Sequence, residues 1–268
     1  MIHNTAIVSK KARLGKEVDI GPWSVIEDGV VIGDNTKVWQ NVYIASGTEV
    51  GKGNVIHMGA ILGHEPQHLL YKGERTSLKI GDNNVIREYV TIHRSFLKGE
   101  STVVGNGNYL MGFAHIAHDC RLGNNIVICQ HSMLAGHVIV EDNVFISGGS
   151  AVHQFSKIGT LAMIGGLTRV NKDVPPYMLV VGPDSEVCSL NIVGIKRSAL
   201  SQEARKQIKQ VYKILYRFGL NTANALREIK KIPYLTKEVL HIIEFIEKSE
   251  RGICKHRRNI SLDEDEEA

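Results

Sequence analysis

The stretch IGPWSVIEDGVVIGDNTKVW, residues 20–39, places Ile20, Ile26, Ile32 and Val38 at a spacing of six. A helix repeats its apolar face every three to four residues, and a half-buried strand every two. A beat of six with turn residues between its members fits neither alone. Followed outward, the beat begins at Ile2 and runs through Val8 and Leu14 to Leu62. It returns at Ile80, Ile86 and Ile92, and again from Val104 to Val170; all 26 positions in this register are Ile, Leu or Val. Hexapeptide repeats with an aliphatic anchor predict a parallel β-helix, three flat faces and 18 residues to a coil. The expected fold is an all-β left-handed parallel β-helix, an exception to the right-handed crossover rule. Each anchor points into the prism, where burial contributes roughly 1.5–3 kcal/mol. Gly and Asn between anchors suit corners that need φ > 0. A β-sandwich would need irregular strand spacing and hairpin turns, which the even beat does not offer.

The beat lapses at 63–79 and 93–103 and then resumes in register. These segments are expected to be loops ejected from the coil, and loops on a rigid scaffold commonly line sites. Pro175, Pro176 and Pro183 stop the coils, giving a β-helix over 1–183. Beyond it, SQEARKQIKQVYKILYRFG (201–219) and TKEVLHIIEFIEKS (236–249) carry helical periodicity, with Ser201 as N-cap and Gly219 as stop. The expected second unit is α-helical, 184–255. The charge-blocked HRRNISLDEDEEA (256–268) is expected to be a disordered tail.

With 43% hydrophobic but only 6% aromatic residues, small branched side chains must fill the core. No apolar run approaches a membrane span, and MIHNTAIVSKKA lacks the pattern of a signal peptide. Cys120, Cys129, Cys188 and Cys254 form no CxxC, as in a reduced, cytoplasmic protein. A net charge of +4 suits an acidic partner or a phosphorylated substrate and is too small to argue for nucleic acid.

AHIAHDC, residues 114–120, then admits three readings: a metal site, a Cys/His nucleophile, or a base with an orienting acid. Residues 18 apart stack on adjacent coils about 4.8 Å apart. His118 therefore stacks on Gly136 and Gln154, and Asp119 on His137 and Phe155. His115 and His118 flank the inward Ile116 and need not converge on a metal. Cys120 has the character of a buried structural thiol. What remains is His118 as general base, its tautomer fixed by Asp119 or another acceptor.

REYVTIHR, AHIAHDC, LAGH, AVHQF, DVPPY and NIVGIKR span residues 87–197, and together they closely resemble the UDP-N-acetylglucosamine O-acyltransferase family of lipid A biosynthesis. The resemblance implies a homotrimer that moves a fatty acyl group, often 3-hydroxylated, from acyl carrier protein to the glucosamine 3-OH of a UDP-sugar. It requires no cofactor and no metal. It makes His118 the base and the Gly136 N–H the oxyanion donor, and it places His115, His137, His153 and Gln154 in a cleft between subunits. It puts Gln67, His68, Asn191 and Arg197 among the substrate contacts, Arg197 at phosphate or carrier, and Gly166 where acyl length is set. Lys206, Lys209, Lys213 and Arg217 form a basic stripe that could dock the acidic carrier. The chain departs from the family pattern at His68 and Leu70, where Asp and Lys are usual, and at Val193 and Ser198, where Glu and a second Arg are common. A 3-amino sugar acceptor is therefore an alternative. Other classes are a non-catalytic β-helix scaffold and a metal-dependent gamma-type carbonic anhydrase.

Overall fold

The structure is a computed structural model and describes residues 1–256. Its first two-thirds is a left-handed β-helix of three parallel sheets. The first face has nine strands, from Ile7–Val8 to Arg169–Val170; the second has eight, from Arg13–Leu14 to Lys157–Ile158. The third has ten and starts at Asp19–Ile20. Most strands are two residues long, an outward residue followed by the anchor. Partners are in register, as where His115 pairs with Met133 and Ile116 with Leu134. The anchors from Ile20 onward are buried, Ile26, Ile44, Ile116 and Leu134 almost completely. Ile2 is 50% exposed, and Val8 and Leu14 are half-buried, because the first coil has no coil beneath it.

The corners refine the expected use of glycine. Positive φ falls three residues after most anchors, at Gly29 and Gly59 but also at Trp23, Asp119, His137, Phe155 and Leu167. The glycine directly after an anchor is there for another reason. A β-carbon on Gly33 would lie 2.6 Å from the Gly51 carbonyl carbon one coil above, so the chain admits no side chain there. The second inward position of each hexad lies four residues after the anchor. At one corner it holds a buried Asn ladder: Asn54 Oδ1 accepts from Asn84 N at 2.9 Å, and Asn84 Oδ1 from Asn108 N at 2.9 Å.

Both ejected loops leave from the corner between the first and second faces. Strands extend further into them than the lapse in the beat suggests: Ile61–His64 and Ser77–Ile80 bound the first loop, Thr91–His93 and Ser101–Val104 the second. The coil ends with Met178–Val181, which pairs antiparallel with Glu186–Leu190. That last strand opens the segment expected to be wholly helical. Four helices follow: α1 (Ile192–Arg197), α2 (Gln202–Tyr216), α3 (Thr222–Ile229) and α4 (Lys237–Glu247). Ser201 caps α2 by accepting from Ala204 N, as expected, and Gly219 takes φ +66° just beyond it. α1 and α3 are short and carried no periodic signal of their own. His256 bridges Val187 and so belongs to the fold; the rest of the expected tail, 257–268, lies outside the described residues.

Candidate active site

His118 sits at the corner where the loops emerge, two residues past the buried anchor Ile116. Its Nδ1 lies 2.7 Å from Asp119 Oδ2. Burial pushes the Asp119 carboxyl up. Hydrogen bonds from His118, from Ser95 Oγ and from Phe96 N outweigh it, with His137 assisting, and the pKa falls to about 2. Asp119 is therefore an acceptor at neutral pH, and Nδ1 must be the donor to it. That fixes the tautomer with the lone pair on Nε2, the arrangement a general base needs.

The coil above supplies the second half. The His118 ring lies over Gly136: a β-carbon there would stand 2.6 Å from Cε1 and 2.8 Å from Nε2. The Gly136 carbonyl accepts from Phe155 N at 3.1 Å, while no acceptor among the described residues meets its N–H. Free N–H groups recur at this corner position along the coil. Here the N–H belongs to the residue on which the base is stacked. A backbone donor beside a free Nε2 can stabilise an oxyanion as the base takes a proton.

Aromatic rings wall the pair. His137 meets His118 edge-on at 5.3 Å and stacks on Phe155 at 4.6 Å. The first loop brings His68 over the corner, stacked on Phe96 at 3.8 Å and edge-on to His118 at 5.3 Å. His68 Nδ1 accepts from Leu70 N at 3.2 Å. On the first face, His115 Nδ1 lies 2.8 Å from Thr91 Oγ1, and the ring is tilted 5.3 Å from His93. Burial first, then the neighbouring His93 and His118, push His115 down to about 4. Burial likewise lowers His93 and His137. Three imidazoles near His118 thus have their neutral form favoured.

The other readings of AHIAHDC meet obstacles in this geometry. Cys120 fills an inward corner position, its Sγ donating to Ala135 O at 3.2 Å, and burial pushes the thiol up to about 12. A thiol that stays protonated is no nucleophile. Donor atoms of His118, Asp119 and His137 lie within 4.8 Å of one another, near enough for a divalent ion. Yet His118 Nδ1, Ser95 Oγ and Phe96 N already donate to the Asp119 carboxylate, and a metal would have to break that set.

The remaining expected residues divide. His153 and Gln154 are exposed two coils above His118, roughly 10 Å away by coil spacing. Gln67 is exposed in the first loop beside His68. Arg197 is exposed in the last turn of α1. Asn191 caps α1, Oδ1 accepting from Gly194 N and Nδ2 donating to Leu161 O, both at 2.9 Å. Gly166 does not share a corner with His118. It lies between the third and first faces, at the other edge of the first face. Positive φ belongs to its neighbour Leu167, and a β-carbon on Gly166 would meet only Gly148 O at 3.7 Å. A tight corner therefore does not explain this glycine. The sequence reading missed Ser95, Phe96, His93 and Arg94. Their signal was the 24-residue step from Thr91 to His115, where an 18-residue step marks an uninterrupted coil.

Comparisons agree with this geometry. The model of the hexapeptide transferase repeat matches residues 29–64 and 101–136, and that of UDP-N-acetylglucosamine O-acyltransferase, domain 2, matches 173–254. A Thermodesulfovibrio yellowstonii protein named acyl-[acyl-carrier-protein]–UDP-N-acetylglucosamine O-acyltransferase is 47% identical over 95% of this chain and 99% of its own. One of the same name from Halorhodospira halophila is 41% identical over the same shares. The crystal structure of a UDP-N-acetylglucosamine acyltransferase from Bacteroides fragilis superposes with TM-score 0.92 at 41% identity, covering 95% of this chain and all of that one. The Francisella novicida enzyme superposes with TM-score 0.93 at 39% identity, covering 98% and 97%. With the hexad prism, the helical unit behind it and a dyad-held imidazole at the loop corner, the chain belongs to the UDP-N-acetylglucosamine O-acyltransferase family.

Proposed function

We propose that this protein transfers an acyl group from acyl carrier protein to the 3-hydroxyl of UDP-N-acetylglucosamine, with His118 as general base. The observation that carries this reading is the pairing of a tautomer-fixed His118 with the unpaired N–H of Gly136. Nε2 of His118 takes the hydroxyl proton as the oxygen attacks the thioester carbonyl. The oxyanion of the tetrahedral intermediate accepts from Gly136 N. Collapse expels the carrier thiolate, which the His118 imidazolium reprotonates. A positioned base supplies typically 10²–10⁴-fold, and one oxyanion donor about 2.7–4 kcal/mol. The thioester is already activated, so no covalent enzyme intermediate is required. The exposed Lys206, Lys209 and Lys213 on α2, with Arg217 at its C-cap, suit an acidic carrier.

The active form is a trimer in this account. Ile7, Trp23, Phe113, Met133 and Leu167 are exposed on the first face and its far corner, an apolar band that neighbouring copies would cover. Such packing is also what lets Gly166 of one copy approach His118 of another. No helix among the described residues is long and apolar enough to cross a membrane. The names of the relatives favour the hydroxyl acceptor over the amino sugar, the scaffold and the carbonic anhydrase. The deciding experiment is an assay of acyl carrier protein thioesters of several lengths against UDP-N-acetylglucosamine and its 3-amino analogue. Ester formation on the former supports the reading; amide formation on the latter alone would replace it.

A further inference from the structure

Four consecutive residues, 93–96, join the first ejected loop to the dyad. His93 Nδ1 donates to the Glu65 carbonyl at 2.5 Å. Ser95 Oγ and Phe96 N bind the Asp119 carboxylate, and the Phe96 ring stacks on His68. Between them, the Arg94 side chain turns toward the loop. Its Nη2 donates to Tyr71 Oη at 3.0 Å and approaches Glu65 Oε1 at 3.4 Å, while Nη1 reaches Ser46 O at 3.4 Å. The guanidinium carbon stands 5.8 Å from the centroid of the Tyr71 ring, and Tyr71 Oη in turn donates to Glu74 O at 2.9 Å. The Arg94 side chain is 16% exposed, and its Nε is buried without an acceptor. A side chain that pays for no function of its own with an orphaned buried donor is best understood through what it holds.

We propose that Arg94 is a positioning residue. By latching the 64–74 loop to the coil it sets His68 against His118 and so maintains one wall of the acceptor site. The planar fork is what permits this, because it reaches the phenol, the carboxylate and the Ser46 carbonyl together. The proposal rests on the acyltransferase reading above.

The test uses the full-length protein with Arg94→Met and Tyr71→Phe, singly and combined. Arg94→Met is expected to raise KM for UDP-N-acetylglucosamine about tenfold or more, the effect of losing a charge-assisted hydrogen bond, with kcat changing less than about threefold. Tyr71→Phe should act in the same direction more weakly, and the double variant should lose less than the sum of the two, since both remove the Arg94–Tyr71 contact. Amide hydrogen exchange over 65–72 should quicken in each variant while 115–137 keeps its protection. Unchanged exchange in the loop, or a fall in kcat at constant KM, overturns the proposal. If the wild type shows no transfer at all, the acyltransferase reading fails, while the exchange comparison still decides whether Arg94 holds the loop.

Discussion

Gly136 and His118 occupy one column of the coil so closely that a β-carbon on the glycine would stand 2.6 Å from the imidazole Cε1. The backbone at Gly136 is not in the left-handed region, so alanine there is sterically excluded by the base rather than by its own φ. Gly136→Ala is expected to push the ring off its site while the prism stays folded. Loss of both base geometry and oxyanion contact predicts a fall in kcat of roughly 10²–10³. Thermal unfolding measured beside the kinetics separates this from misfolding; an active, fully stable variant would show that the ring has another resting place.

Asp119 sets which nitrogen of His118 carries the proton. Asp119→Asn can present its amide N–H to Nδ1, which reverses the tautomer and puts the hydrogen on Nε2. The expected loss in kcat is about 10²–10⁴-fold, with KM nearly unchanged. Ser95→Ala, which removes one of the donors to the carboxylate, should cost less. Chelator treatment should leave the rate of the wild type as it was.

Acid should unfold the site in two stages. His115 is held near 4 against an ordinary 6.5, and His93 and His137 are lowered too. The unfolded chain therefore binds protons that the folded one refuses, and stability present above pH 6.5 declines as pH falls toward 4. Asp119, held near 2 against 3.8, adds stability that is present above 3.8 and lost below it. Urea midpoints at pH 7.5, 5.5 and 4.5 measure the first stage. His115→Gln should flatten the slope between 6.5 and 4; an unaltered slope would mean that His115 protonates freely in the fold.

The prism was legible because its determinant is one-dimensional: an anchor every six residues, whose burial the structure shows from Ile20 to Val170. The same arithmetic put Gly136 above His118 and His137 above Asp119, so half of the site could be read from spacing. The other half could not. Ser95 and Phe96 reach the dyad, and Arg94 the first loop, through a segment outside the beat, where no period relates sequence to position. Nor does any period show that the Asn191 amide closes the first turn of α1. Positive φ at the corner residues, the buried Asp119 among them, reflects the turn that most hexads make, so that conformation is no mark of the site.

Gly166 has room for a side chain and no conformational demand, and in the proposed function it lines the path of the acyl chain. Gly166→Met should favour a donor several carbons shorter and penalise the long one. Each methylene excluded is worth about 1–3 kcal/mol, or 10–200-fold in selectivity. Rates with at least three chain lengths are the measurement. If all donors slow by one factor, the tail runs elsewhere.

The claim on which the rest depends is that His118 removes the acceptor proton. Its ring lies outside the aliphatic register, so His118→Ala should keep the assembly and the thermal midpoint of the wild type. The direct measurement is kcat of this variant with acyl carrier protein thioester and UDP-N-acetylglucosamine. The account predicts a loss of about 10²-fold or more. A correctly assembled variant retaining more than about a tenth of the wild-type kcat, a barrier change below that of a typical catalytic base, would contradict it.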